Sequence, residues 1–166
     1  MGVRGARAAG AVLVVAAILP AAWFGGDGDA GEDRTTAAVE AARAYQQAQL
    51  DMDWEAACEA ITDRARRRDW EADTIAECVA VRGIPRMNDG SGARVTTGEP
   101  IDLPASGVHP AGIGLRVSLG PIGNGVTIDT AHRVVPGEDG TWLIDQSVNL
   151  PEATDTEAVR KALTRE

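Results

Sequence analysis

The chain has 166 residues and a formal net charge of −9 at pH 7. A protein this acidic lacks the basic surface that displaces counterions from phosphates, so the composition argues against nucleic-acid binding. Its length corresponds to one domain with a small appendage, and because aromatic residues make up only 4% of the chain, we expect a core mainly of Ala, Val, Ile and Leu.

The first 24 residues are typical of an export segment. Arg4 and Arg7 precede an uncharged run that reaches Phe24, near the lower length limit for a membrane span. No cysteine follows for lipid attachment, and the best small-x-small cleavage site, 28–30, lies in an acidic stretch. We predict that residues 1–24 form an uncleaved membrane anchor, with a cleaved signal peptide as the alternative. Both interpretations place the rest of the chain outside the cytoplasm.

A Gly/Asp-rich segment, 25–34, is predicted to be a flexible linker. A first helix should start at Thr35 or Thr36 as N-cap, because the apolar residues that follow lie on one helical face. These residues are Val39, Ala42, Tyr45 and Ala48. We therefore predict that the folded domain begins at residue 35 and extends to residue 150.

Two further helices are predicted before residue 84. The second should start at Asp51 or Asp53 and continue as one helix through an apolar stripe. The stripe consists of Trp54, Ala57, Cys58, Ile61 and Ala65. The third should cover 73–82, with Cys78 on its apolar side, and Gly83 should end it.

After Gly90 the pattern changes to runs rich in β-branched residues and separated by Gly and Pro. These runs predict about four antiparallel strands, with a hairpin turn at 136–140 between the last two. Helices that precede strands in this way indicate an α+β fold, with the N-terminal helices packed on a curved sheet. The tail, 151–166, is predicted to form a short helix starting at Asp155.

Cys58 and Cys78 are the only cysteines, and both lie on apolar stripes of adjacent predicted helices. A redox pair usually has C-x-x-C spacing, which is absent here, and a zinc site would need further ligands within the helical hairpin. A disulfide is the expected state in an exported chain. Two buried free thiols are the alternative.

Two segments, "AAVEAARAYQQAQLDMDWEAACEAITDRAR" at 37–66 and "HRVVPGEDGTWLIDQ" at 132–146, carry a family resemblance. The first resembles the opening helix and the D-x-D-W-x-x-A-C start of the second helix in the nuclear transport factor 2-like, or cone-like, superfamily. The second resembles the closing hairpin of that family. The layout is similar to small secreted or membrane-anchored actinobacterial members. The resemblance implies a sheet curved around an interior pocket, but no single function.

Enzymes of this superfamily, such as the isomerase-like and cyclase-like members, place acids, a tyrosine or a histidine inside the cone. The counterparts that the resemblance implies here are Tyr45, Asp129, His132 and Asp145. Strand alternation places His132 on the face of Val134 and Asp129 on the other face. If the face with Val134 is buried, His132 lines the interior. A lone inward histidine is more often a hydrogen-bonded core residue than a catalyst, so His132 is only a weak catalytic candidate.

Tyr45, Trp54, Trp142 and His132 are the candidates for lining a ligand pocket, although core packing is the simpler explanation for the aromatic residues. His109 lies in a Gly/Pro-rich loop and is predicted to be exposed. No residue pattern indicates a metal site or a cofactor.

We therefore expect a non-enzymatic, exported, membrane-tethered domain that binds a protein partner or an apolar ligand outside the membrane. The alternative is an isomerase-like or cyclase-like enzyme with His132 in its pocket. Two or three titratable groups around one cavity would favour the enzyme.

Overall fold

The computed structural model describes residues 29–83, 92–122, 125–151 and 155–165. Helices precede strands, as predicted, and one further helix follows the sheet. The helices are α1 (Asp29–Leu50), α2 (Trp54–Glu59), α3 (Asp63–Trp70), α4 (Ile75–Arg82) and α5 (Thr156–Thr164). The strands are β1 (Arg94–Thr97), β2 (Ile101–Leu103), β3 (Gly112–Ile122), β4 (Val126–Pro136) and β5 (Trp142–Leu150).

The first helix is longer than the sequence predicted. It begins at Asp29, so 29–34 is helical although it was assigned to the linker. Glu32 and Asp33 lie near the helix N-terminus, where negative side chains interact favourably with the helix dipole. The predicted anchor, 1–24, lies outside the described residues. Within the described residues, no helix combines the length and apolarity that a membrane crossing needs.

The second predicted helix is in fact two helices, α2 and α3. Asp53 caps α2 as expected, since its side chain accepts a hydrogen bond from the Ala56 backbone N–H. The chain then leaves the helix because Ala60 and Thr62 exchange backbone hydrogen bonds with Ile144 of β5, at 2.9 and 3.0 Å. The prediction of one continuous helix from Trp54 to Ala65 was therefore wrong, since backbone pairing with a distant strand interrupts it.

A disulfide joins α2 to α4, as predicted. Cys58 and Cys78 are both fully buried, and their Cα atoms are 6.0 Å apart. Helix α4 begins after Thr74, whose side chain forms a reciprocal capping box with Glu77, and ends at Gly83. The bond thus fixes the middle of α4 against α2 within the core.

The sheet is antiparallel and has the strand order β1-β3-β4-β5, with β2 also paired to β3. Its five strands exceed the predicted four because the first predicted strand is divided into β1 and β2. A register shift between Arg133 and Val134 of β4 leaves Asp145 as an extra residue in β5. The α+β class with helices packed on a curved sheet is confirmed.

The sheet has an inner face, covered by α1–α4, and an outer face, covered by α5. Inner-face residues such as Leu115, Val134 and Ile144 belong to one buried cluster with residues of the first four helices. Ala131 lies on the outer face in a separate cluster with Val159 and Leu163 of α5. Asp155 caps α5 by accepting a hydrogen bond from the Ala158 N–H at 2.7 Å. Helices therefore pack on both faces.

Candidate functional site

Polar side chains converge between the helices and the inner face of the sheet. We call Tyr45, Gln49, Arg82, His132 and Ser147 the inner polar cluster. His132 is 1% exposed and shares its face with the fully buried Val134, as strand alternation predicted. Asp129 lies on the outer face, where it accepts a hydrogen bond from Ser118. Of the two β4 candidates, only His132 therefore belongs to the inner cluster.

Only one of the two ring nitrogens of His132 has a hydrogen-bond partner. Its Nδ1 atom lies 2.9 Å from Oγ of Ser147, whereas its Nε2 atom is buried without a hydrogen-bond partner. Burial lowers the pKa of His132 from 6.5 to about 4, so the ring is neutral near pH 7. If the Ser147 hydroxyl donates to Nδ1, the Nε2–H group is left as a free donor directed into the interior.

Tyr45 packs between His132 and Arg82. It is 5% exposed, and its ring meets the His132 ring edge-on with the centroids 5.6 Å apart. Burial raises the pKa of the Tyr45 hydroxyl, while the positive charge of Arg82 acts in the opposite direction. The phenol therefore remains protonated at neutral pH, and its ring contacts both His132 and Arg82.

Sequence reasoning missed three residues of this cluster, Gln49, Arg82 and Ser147, and Arg82 is the charged one. Its guanidinium carbon lies 3.9 Å from the Trp70 ring centroid, 5.4 Å from that of Trp54 and 5.9 Å from that of Tyr45. The residue is only 4% exposed, and its Nη2 donates to Oε1 of Gln49 at 2.8 Å. As the last residue of a predicted helix, it carried only the signal of a cation at a helix end.

The guanidinium of Arg82 is incompletely paired. Its Nε and Nη1 atoms are buried and have no hydrogen-bond partner. Among the described residues, no carboxylate lies within ion-pair distance of it. A buried charge in this state is unfavourable unless an anion or other acceptor completes its hydrogen bonds.

The four pocket candidates from the sequence are not all brought together. Tyr45 and His132 are in contact, and Trp54 packs beside Arg82. Trp142 lies at the other end of β5, about 16 Å from Ser147 at the usual rise per residue. It is half-buried against the core, with Arg34 over its ring at 6.0 Å. Trp142 is therefore separate from the inner polar cluster.

A second polar network surrounds Asp145, which is 2% exposed in the bulge of β5. Its carboxylate accepts hydrogen bonds from Thr62 at 3.0 Å and from Arg64, and lies 2.9 Å from Nδ1 of His109. The expected exposure of His109 was wrong, since its side chain is 15% exposed. The loop folds back so that His109 contacts the buried carboxylate.

Arg133 lies near this network on the outer face of the sheet. It is fully buried, and it donates to the backbone carbonyls of Pro104, Pro110 and Leu163 at 2.8 to 3.0 Å. Burial lowers the pKa of Arg133, and the negative charge of Asp145 opposes this shift. These bonds tie the 104–110 loop and the end of α5 to the sheet, which is a structural role.

Within the parts of the chain that the structure describes, no three His, Cys, Asp or Glu side chains are grouped to hold a metal ion. No protein-family model matches the chain, and no significant match was found among curated proteins or solved structures.

Proposed function

We propose that this chain is an exported, membrane-tethered, non-enzymatic domain of the cone-like type that binds an apolar molecule carrying an acidic group. The ligand would occupy the inner polar cluster. The observation that carries the proposal is the buried guanidinium of Arg82, which has two unpaired nitrogens and is surrounded by three aromatic rings.

A carboxylate satisfies this guanidinium better than a neutral group does. Hydrogen bonds between oppositely charged groups are stronger than those between neutral groups. Nε and Nη1 of Arg82 are the two unpaired nitrogens, and each can donate to an oxygen of an acidic ligand group. The half-buried rings of Trp54 and Trp70 offer apolar surface for the rest of the ligand.

His132 supplies a second contact in this proposal. With Ser147 donating to Nδ1, the free Nε2–H of the neutral ring can donate to the ligand. Tyr45 contacts both His132 and Arg82, so it holds the two donors in a common arrangement.

The pKa directions count against the enzyme alternative. A general base works best with a pKa near the operating pH. The pKa of His132 is lowered to about 4, and the pKa of Tyr45 is raised, so neither group exchanges a proton readily near pH 7. Two titratable groups that meet, such as His132 and Tyr45, would favour an isomerase-like or cyclase-like activity. Here both side chains stay neutral near pH 7, which argues against it.

The disulfide supports the export part of the proposal, because such bonds persist in oxidising compartments. Membrane fractionation with N-terminal sequencing tests the tether: the intact chain should be found in the membrane fraction. A soluble form that starts near Gly31 would instead show a cleaved signal peptide.

Ligand binding can be tested with benzoate and benzyl alcohol, which differ in charge but share the aromatic ring. Binding to the full-length protein is followed by tryptophan fluorescence, to which Trp54 and Trp70 beside Arg82 contribute. We expect benzoate to bind more tightly than the alcohol, and Arg82→Met to weaken benzoate binding at least about tenfold.

The matched control is Arg67→Met, which removes the same charge from an exposed position on α3. This variant should bind benzoate like the native protein. Equal binding by the Arg82 and Arg67 variants, both checked for native circular dichroism, would contradict the proposed site.

A further inference from the structure

Strand β5 forms one edge of the sheet, and among the described residues backbone hydrogen bonds cover only the first half of this edge. On the edge that faces away from β4, the backbone of Ile144 forms hydrogen bonds with Ala60 and Thr62. Within the described residues, no backbone group pairs with the outer edge of β5 from Gln146 to Leu150. Exposed edges of this kind can pair with another chain, and many proteins protect them with Lys or Pro. Neither residue occurs within β5.

A groove of about 420 Å³ lies beside this open edge, between β5 and α5. Its apolar lining includes Val148 and Leu150 of the strand and Ala158 and Ala162 of the helix. Its volume is within the range of sites that bind small side chains or ligands. The groove therefore offers apolar contact next to unpaired backbone groups.

Two basic side chains complete the groove. Lys161 lies in the last turn of α5 and Arg165 directly follows the end of the helix, and both side chains line the groove. Neither forms an ion pair with the residues that the structure describes. In a chain with a net charge of −9, this is a local positive site. It would attract an acidic group and not a basic one.

We infer that this edge and groove bind an extended segment of a partner protein by strand addition. The segment would carry an apolar and an acidic residue two positions apart, because alternate residues of a strand share one face. Its backbone would pair with Gln146–Leu150, its apolar side chain would enter the groove, and its acid would meet Lys161 and Arg165. This inference is independent of the ligand site at Arg82.

Other occupants fit these observations less well. An alkyl ligand could fill the groove but would leave the backbone of the strand edge unpaired. A second copy that pairs through its own β5 would present Gln146–Leu150, a stretch with no acidic residue. The positive charge of Lys161 and Arg165 would then have no complement.

The probe is the peptide acetyl-Thr-Val-Thr-Glu-Thr-Val-Thr-amide, titrated into the full-length protein. Lys161 is the only lysine in the chain, so its acetylation by an amine reagent, measured by mass spectrometry, reports on occupancy of the groove. We expect the peptide to protect Lys161 and to shift the backbone amide resonances of β5. Replacing the Glu of the peptide with Lys should weaken binding at least about fivefold.

Backbone pairing is tested with the same peptide N-methylated at its three central residues, which should bind at least about tenfold more weakly. The double variant Lys161→Gln with Arg165→Gln should lose the preference for Glu over Lys in the peptide, whereas Arg67→Gln should keep it. Because the double variant lacks the lysine reporter, its binding is followed by the β5 amide resonances.

Three results would overturn the inference. Equal binding of the N-methylated peptide would indicate an apolar-ligand groove without strand addition. A dimer in sedimentation, broken by variants of β5, would identify a second copy as the occupant. Absence of Lys161 protection by the probe at millimolar concentration would reject the site.

Discussion

The buried histidine should make the stability of the protein depend on pH in a defined range. His132 is 1% exposed, and burial lowers its pKa from 6.5 to about 4. One pKa unit corresponds to about 1.4 kcal/mol of difference between protonation states. The shift therefore corresponds to about 3 kcal/mol, a large part of the 5–15 kcal/mol that typically stabilises a domain.

The sign follows from which state binds the proton more readily. Between pH 6.5 and about 4, the unfolded chain protonates His132 while the folded chain keeps it neutral. The contribution of neutral His132 is therefore fully present above about pH 6.5. It should decline as the pH falls, and about 3 kcal/mol should be lost once the pH reaches about 4.

The measurement is urea denaturation of the native protein and of His132→Asn at several values between about pH 7.5 and pH 4. Asparagine can retain the hydrogen bond to Ser147 but does not titrate. Other carboxylates titrate in both proteins, so the difference between the two free energies of unfolding isolates His132. Parallel pH profiles would refute the reasoning, because they would mean that the imidazole reaches water in the folded state.

Three further predictions concern the packing. Replacing Cys58 and Cys78 with Ala should lower the free energy of unfolding by about 3 kcal/mol. Non-reducing peptide mapping of the native protein should recover the two cysteine peptides linked to each other. Asp145→Asn should destabilise the protein by about 2 kcal/mol in urea titration, because Arg64 loses its buried anionic partner. The control, Asp129→Asn, should have a smaller effect because Asp129 is more exposed. Trp142→Ala should destabilise the protein by about 2 kcal/mol, less than the truncation of a fully buried tryptophan would. An unchanged melting temperature would mean that the Trp142 side chain makes no net contribution to the core.

Local features of the fold were predictable from the sequence. Asp53 and Asp155 act as N-caps at the expected positions, because a cap depends on residues only two or three positions away. Alternation along β4 correctly separated His132 from Asp129, since side chains of a strand point to opposite faces in turn. The pairing of Cys58 with Cys78 followed from their positions on facing apolar stripes.

Only the tertiary structure decided where distant polar groups meet. The helical pattern from Trp54 to Ala65 is broken because the backbone around Ile61 pairs with Ile144, far along the chain. Arg82 gave no sign of its role, since its aromatic surroundings come from three other helices. The contact between His109 and the carboxylate of Asp145 was equally hidden, because the two residues are far apart in the sequence. A charge buried by the fold takes whatever donors or rings the packing provides, and local sequence patterns do not encode these partners.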